Sequence, residues 1–207
     1  MIKNKTQKTM KKTIIQLLAV VLLLSACNQK KGTNNSTVNS AKENMGSKVT
    51  INEGDWVETD LSAKSSFSPA MLKLPKDATI SIVKNFPQVI ISDGYGLQVR
   101  DTEPGGFDFD KRNAVSLDFY KEAKLLLDEG DSYIYTNTKK DGADGHQYKP
   151  EVHFVIHKKI NENKYIEVTD LKPEGSSVEI EFTEELAKKV YGIISPSIKI
   201  KELFQTQ

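Results

Sequence analysis

Cysteine is almost absent from this chain, because Cys27 is the only one in 207 residues. A disulfide framework is therefore excluded, as are cysteine metal sites and cysteine nucleophiles after residue 27. The chain also lacks a run of about 20 apolar residues, the length that a membrane-spanning helix needs. Its run at 14–24 has eleven residues and is interrupted by Gln16.

Motifs for common catalytic sites are missing as well. The sequence contains no G-x-S-x-G elbow, no G-x-x-x-x-G-K-[ST] phosphate loop and no G-x-G-x-x-G that opens a helix. No catalytic or cofactor-binding residue is therefore predicted. An enzyme stays open as an alternative, because carboxylates that are distant in sequence can meet in space.

The charge of residues 48–207 argues against binding to nucleic acid. This part has 21 basic and 27 acidic residues, a formal charge of −6, and its only arginines are Arg100 and Arg112. Nucleic-acid recognition requires a basic surface and usually arginine. We expect no nucleic-acid partner.

The N-terminal residues have the pattern of a secretory signal. Five lysines and no acid occupy residues 1–13, and the apolar run 14–24 follows. A basic region followed by a short apolar region is typical of a signal peptide, which leads to export across the cytoplasmic membrane.

Leu24, Ser25, Ala26 and Cys27 follow that run, and together they resemble the lipobox of bacterial lipoproteins. The resemblance implies cleavage after Ala26, a diacylglyceryl group on the Cys27 sulfur and a further acyl chain, such as palmitate, on the new amino terminus. Two or more chains give stable anchoring. It also implies a location in the cell envelope. If the organism has an outer membrane, that membrane is expected, because Asn28 after Cys27 does not resemble the aspartate that retains such lipoproteins in the inner membrane.

Residues 27–47 are predicted to be a lipidated cysteine followed by a flexible tether. The stretch 28–47 is rich in Asn and Ser and nearly free of large apolar residues, so it buries too little surface to fold. Its expected reach is about 25 Å. Residues 48–207 then have a suitable length for a single domain.

The first half of this domain is predicted to be mostly strand. Residues 79–83 and 88–92 are rich in β-branched side chains, and Asp93-Gly94 joins the second of them to residues 95–101 as a hairpin. Trp56 is predicted to anchor the core or a sheet edge rather than to bind a ligand.

The second half is predicted to contain two helices and four strands. Phe119, Ala123, Leu126 and Leu127 have helical spacing and predict a helix over 115–130, after a loop at 103–113. Strands are expected at 132–139, 151–160, 165–170 and 178–182. Thr183 is expected to cap a second helix, which Pro196 interrupts. The fold class is therefore α+β, a mostly antiparallel sheet with two main helices packed on it.

The order of these segments resembles the PsbP-like αβα sandwich. The features that carry the likeness are LKLPKDATI with the strand pairs after it, the predicted helix VSLDFYKEAKLLLDE, the hairpin EVHFVIHKKINENKYIEVTD and the final helix AKKVYGIISPSIK. The resemblance implies an adaptor or assembly domain without catalysis, and it transfers no functional residue.

Candidate metal ligands each have a simpler interpretation. His153 and His157 lie on a predicted strand, where their spacing of about 13 Å prevents them from sharing an ion, and they are expected on its polar face. The loop at 141–146, with Asp141, Asp144 and His146, does not fit the spacing of a calcium loop, although an irregular site stays open as an alternative. A second acidic loop at 101–110 contains Asp101, Glu103, Asp108 and Asp110. Turns are the simpler interpretation of both. No metal site is predicted.

These observations favour a membrane-anchored, non-enzymatic envelope lipoprotein that binds another envelope protein. A carrier of a small molecule or lipid, with a pocket between sheet and helix, is a second possibility. An envelope hydrolase with an irregular carboxylate site is a third.

The lipid anchor is tested by Cys27→Ser, which removes the sulfur that would be modified. We expect the variant to leave the membrane fraction at high salt, while the unchanged protein stays in it. Immunoblotting of separated fractions measures this. A variant that still sediments with membranes at high salt would contradict the lipobox interpretation.

Overall fold

The structure of the protein is a computed structural model that describes residues 49–51, 53–62, 70–84 and 86–201. The predicted signal peptide, Cys27 and the predicted tether lie outside the described residues. Among the described residues, no helix has the length and apolar character needed to cross a membrane.

In the described part of the chain, ten strands form two antiparallel sheets. The larger sheet has seven strands in the order β3-β4-β5-β9-β8-β7-β6, and the smaller has three in the order β1-β2-β10. The strands are β1 Trp56–Asp60, β2 Ala70–Pro75, β3 Thr79–Val83, β4 Phe86–Ser92, β5 Tyr95–Thr102, β6 Tyr120–Asp128, β7 Ser132–Lys139, β8 Glu151–Asn161, β9 Lys164–Leu171 and β10 Lys199–Ile200.

The described ranges also contain two α-helices. Helix α1, Gly106–Ala114, follows Gly105, whose φ of 89° suits glycine at the start of the helix. Helix α2, Glu184–Ile194, begins at Thr183, whose hydroxyl oxygen accepts a hydrogen bond of 3.2 Å from the Leu186 backbone N–H. A 3-10 turn, Ser195–Ser197, follows α2 at the position of Pro196.

The two helices lie on opposite faces of the large sheet. Helix α2 contacts one face through Tyr191, which meets Phe154 and Ser132, and this side holds the main core together with the small sheet. Helix α1 contacts the other face through Phe107, which packs on Tyr133 in a second, smaller apolar cluster. The architecture is therefore helix, sheet, helix in layers.

The predicted fold class is confirmed, and most of its strands lie where the sequence placed them. The hairpin at Asp93-Gly94 joins β4 to β5, and Gly94 has a φ of 93°. Trp56 is 9% exposed and belongs to the main core, as predicted. The predicted α2 and its cap are also correct.

The predicted helix over 115–130 is wrong, because its residues 120–128 form strand β6. The pairing of β6 with β7 shifts register between Leu125 and Leu127. This bulge interrupts the alternation of side chains, so that Leu125 joins the smaller cluster while Leu126 and Leu127 pack on the main core. A strand with such a bulge has apolar spacing like that of a helix.

Two further predictions are corrected. The expected loop at 103–113 contains α1, because Phe107 and Ala114 lie seven residues apart and are both buried against the sheet. The expected strand at 178–182 is reduced to an isolated bridge residue, Ile180. The adjoining Phe182 carbonyl still accepts a hydrogen bond of 2.8 Å from the Val152 backbone N–H, which fixes this segment beside β8.

Candidate functional site

A row of polar residues crosses the large sheet beneath α1. Arg100 on β5 lies directly opposite Glu167 on β9, and Glu167 lies opposite His157 on β8. Directly opposed residues of neighbouring strands point to the same face. That face is the one on which α1 packs, so the helix brings Asp110 to the row.

Arg100 connects the carboxylates of the sheet and the helix. Its Nε donates to Glu167 Oε1 at 2.7 Å, and its Nη2 lies 2.6 Å from the same oxygen. Nη2 also donates to Asp110 Oδ2 at 2.6 Å. Both contacts to Glu167 use Oε1, and Oε2 is buried without a hydrogen-bond partner among the described residues. We call Arg100, Asp110 and Glu167 the carboxylate clamp.

The environment of Glu167 disfavours its charge. Its side chain is 1% exposed, and burial raises the pKa of the Glu167 carboxyl. Arg100 lowers the pKa in part, and Asp110 raises it further. Burial also raises the pKa of nearby Tyr133, with Glu167 and Asp110 adding to the effect. In the clamp, two carboxyl groups therefore share the positive charge of one arginine.

His157 lies beside the clamp in a stack of three rings. Phe107 of α1 is parallel to its imidazole within 5° at 4.9 Å, and Tyr165 stacks on it at 4.4 Å and 10°. Its Nε2 lies 2.7 Å from Thr102 Oγ1. Burial lowers the pKa of His157, although nearby acids act in the opposite direction, so its ring is neutral at pH 7.

His153 belongs to a separate network. Its Nδ1 lies 3.1 Å from Asp170 Oδ1, and the same oxygen accepts the Phe154 backbone N–H at 3.2 Å. Burial opposes charge on His153, but hydrogen bonds to Asp170 and Glu151 outweigh it and raise the pKa of His153 to about 9. The imidazole is therefore charged at neutral pH.

Both histidines were expected on the polar face of the strand, and the structure shows that they are covered there. His157 is 6% exposed and the His153 side chain 17%, because aromatic side chains cover both. Their different hydrogen-bond partners keep them in separate networks. In the described part of the chain, no three His, Cys, Asp or Glu residues are grouped as metal ligands.

The acidic residues of 101–110 do not converge on one site. Asp110 belongs to the clamp, whereas Asp101, adjacent to Arg100 on β5, points to the opposite face and pairs with Lys164. Glu103 and Asp108 are exposed.

The loop at 141–146 forms a turn, as expected. The Asp144 Oδ1 accepts the His146 backbone N–H at 3.0 Å, and Asp141 Oδ2 lies 3.3 Å from Lys121 Nζ. Side-chain acceptance of the backbone N–H two residues on is the usual stabilisation of an Asx turn.

The space expected to hold a ligand between the sheet and α2 is filled. Ala187, Val190 and Ile194 are each at most 1% exposed and pack in the main core. Two surface clefts lie elsewhere. One of about 530 Å³ adjoins the start of α2 and is lined by Ile51, Leu186 and polar neighbours. Another, of about 520 Å³, lies beside α1.

Three apolar side chains project from α1 and the turn that follows it. Phe109 is 57% exposed, Leu117 63% and Phe119 61%, and these are the highest values among the large apolar residues in the described ranges. Phe107 and Phe109 are two residues apart on α1, so one points into the sheet and the other away from it. We call Phe109, Leu117 and Phe119 the apolar contact surface.

No protein-family model matches this chain, and comparison with curated proteins and with solved structures finds no match either.

The carboxylate clamp is suited to holding α1 rather than to catalysis. A general acid or base must come within hydrogen-bond reach of the substrate proton. Glu167 is almost completely covered in this conformation, and Arg100 occupies its other oxygen. The chemistry that the clamp performs is the binding of a helix carboxylate to a sheet arginine.

From the sequence alone, Arg100 was considered for nucleic-acid recognition, Asp110 as part of an acidic loop and His157 as a metal ligand. Glu167 was not considered. The alternation of Tyr165, Glu167 and Thr169 indicates a polar face on this strand. That face is buried because α1 covers it, and α1 was itself missed.

Arg100→Ala is expected to destabilise the protein by about 3 kcal/mol at pH 7, because it leaves a buried carboxylate without its cation. This loss of stability is at the low end of the range for breaking a buried ion pair, because the Arg100 side chain is 37% exposed. The folded state raises the pKa of Glu167, so the penalty on its charged form exists above the ordinary pKa of 4.5 and disappears as the pH falls below it.

The measurement is the free energy of unfolding in urea at pH 7 and pH 4. Arg112→Ala is the control, because that arginine is exposed and donates a hydrogen bond to the Asp108 carbonyl of its own helix. An equal loss for Arg100→Ala at both pH values, or a loss no larger than that of the control, would refute the role of the clamp.

Proposed function

We propose that this chain is a lipid-anchored protein of the cell envelope whose domain binds another envelope protein and performs no catalysis. The anchor is a lipid on Cys27, and the location is the outer membrane if the organism has one. The observation that carries the binding role is the apolar contact surface.

Exposed apolar residues of this kind favour an interaction. Single exposed hydrophobic residues are ordinary on soluble proteins, whereas a concentration of them marks contact sites. Phe109, Leu117 and Phe119 fall within eleven residues, and two are aromatic, the class that contributes most to protein interfaces. An adjoining cleft of about 520 Å³, between α1 and Leu125, offers space for a partner side chain.

Three lysines near this surface have oxygen partners, and Arg112, which lines the adjoining cleft, donates to the Asp108 backbone carbonyl. Lys111 Nζ lies 2.5 Å from Asp128 Oδ1, and Lys121 pairs with Asp141. Lys140 donates to the Asp118 backbone oxygen at 2.7 Å. A surface that attracts anionic lipid or nucleic acid has unpaired basic side chains in excess. The paired charges favour a protein partner with an apolar patch.

The predicted anchor makes weak binding sufficient. A domain held to a membrane by a tether of about 25 Å meets membrane proteins at a high effective concentration. An interface built on three side chains is small, so this restriction to the membrane surface contributes strongly to association.

A small-molecule carrier is the second candidate, and the 530 Å³ cleft favours it. Val49, Ile51 and Leu186 give that cleft an apolar part, and Glu185 and Lys189 give it charged groups. Native mass spectrometry of protein released gently from its own membranes distinguishes the two functions. An added mass of a few hundred daltons supports the carrier, and a protein-sized addition supports the binding domain.

If Phe119 is a central anchor of the interface, replacing it by serine is expected to reduce partner binding at least tenfold, because truncating such a hot-spot residue costs about 2 kcal/mol or more. A photo-crosslinking amino acid at Leu117 in the membrane-anchored protein reports the partner in cells. Val57→Ser is the matched control, since Val57 is 45% exposed on the small sheet. Thermal unfolding of both variants verifies that they fold.

A crosslinked envelope protein that disappears with Phe119→Ser and persists with Val57→Ser supports the proposal. The same yield with both variants, or no crosslinked protein, would contradict it.

A further inference from the structure

Glu167 of the carboxylate clamp has one carboxyl oxygen without a hydrogen-bond partner. Its Oε1 receives both contacts from Arg100, and its Oε2 is buried with no partner among the described residues. The side chain is 1% exposed, so water reaches Oε2 only when the residues that cover it move. A buried carboxylate oxygen without a donor is costly, whereas a protonated carboxyl group has no charge to solvate. The geometry therefore favours Glu167 with a bound proton.

The docking of α1 against the sheet strengthens this preference in two ways. The helix covers Glu167, and it places Asp110 Oδ2 2.6 Å from the Arg100 nitrogen that also lies 2.6 Å from Glu167 Oε1. Two carboxylates then compete for one nitrogen and repel each other. Burial and the charge of Asp110 raise the pKa of the Glu167 carboxyl, and Arg100 lowers it in part. When α1 moves away, Glu167 regains water and keeps Arg100 to itself.

We propose that a proton on Glu167 holds α1 against the sheet and that loss of this proton loosens the helix. With Glu167 neutral, Arg100 pairs with Asp110 without a competing charge. The docked state binds the proton more tightly than the released state. This contribution to docking is therefore complete below the ordinary glutamate pKa of 4.5 and is lost as the pH rises through the raised pKa of the docked state.

Three neighbouring strands bring other ionisable groups to Glu167. Arg100 lies opposite it on β5, His157 lies opposite it on β8, and Tyr133 is on β7. Burial raises the pKa of Tyr133, so its phenol stays neutral. Burial lowers the pKa of His157, so charging of that ring at acidic pH works against docking. Because Glu167 and His157 act in opposite directions, the sign of the pH dependence distinguishes them.

Helix α1 is short enough for one proton to matter. It has nine residues, of which Phe107 and Ala114 are buried, and Gly105 before it provides no side-chain hydrogen bond to its start. Short helices depend on tertiary contacts for their stability. The other charged residues of α1 are Asp108, which is exposed, Lys111, which pairs with Asp128, and Arg112, which donates to the Asp108 carbonyl.

One consequence concerns the apolar contact surface. Phe109 lies on α1, so a loosened helix separates it from Leu117 and Phe119. This consequence rests on the proposed function, whereas the proton-controlled docking of α1 does not. The test of the docking therefore uses the chain without a partner.

The test is hydrogen exchange of the α1 backbone amides in the full chain at pH 5 and pH 8, with each rate divided by the intrinsic rate at that pH and compared with β8. We expect protection of α1 to be at least about threefold lower at pH 8, because each unit by which docking raises the Glu167 pKa corresponds to a tenfold change. Glu167→Gln mimics the protonated form and is expected to give equal protection at both pH values. Glu162→Gln is the control, an 87% exposed side chain that pairs with Lys159, and it is expected to keep the pH dependence.

A second measurement needs no variant. The carboxyl carbon resonance of Glu167, followed by NMR, is expected to titrate above pH 4.5, with the same midpoint as the protection of α1. A midpoint at or below 4.5 would overturn the proposal. So would equal α1 protection at pH 5 and pH 8 in the unchanged chain, or a pH dependence that persists in Glu167→Gln. Protection that rises with pH would assign the control of α1 to His157 instead.

Discussion

The guanidinium of Arg100 joins the large sheet to helix α1, and the arrangement of this face depends on that contact. One nitrogen reaches both Glu167 of the sheet and Asp110 of the helix, each at 2.6 Å. The Arg100–Asp110 pair is partly exposed, because each side chain is 37% exposed, so it contributes up to about 1 kcal/mol. Here we infer that it fixes where a nine-residue helix lies, because the apolar cluster beneath α1 is small.

The position of α1 in turn orders the groups on either side of it. Phe107 points inward and closes the stack over His157, which keeps that histidine neutral and away from solvent. Phe109 points outward and, with the turn after the helix, displays the apolar contact surface. On the other face, α2 and the small sheet bury most of the described apolar side chains in the main core. The proposed binding function therefore rests on the face with the clamped helix.

The sequence predicted correctly those strands and helices whose apolar residues repeat at one regular spacing. The alternation in β8 and the cap and apolar stripe of α2 were read correctly because neighbouring residues determine them. Because of its bulge, the apolar residues of strand β6 have the spacing of a helix. The start of α1 was missed because Gly105 and Gly106, residues typical of turns, stand there. The clamp could not be read locally, since Arg100 and Glu167 meet only through the pairing of β5 with β9. The predicted lipobox stays a prediction, because it lies outside the described residues.

Hydrogen exchange of the α1 backbone amides tests most directly whether the clamp holds this helix. Asp110→Asn removes the helix carboxylate with little change in shape, and Asp108→Asn on the same helix is the control. The account predicts about fivefold faster exchange in α1 for Asp110→Asn, corresponding to about 1 kcal/mol of local stability, and unchanged exchange in β8. Exchange in α1 that is the same in both variants, or a change spread evenly over the domain, would contradict it.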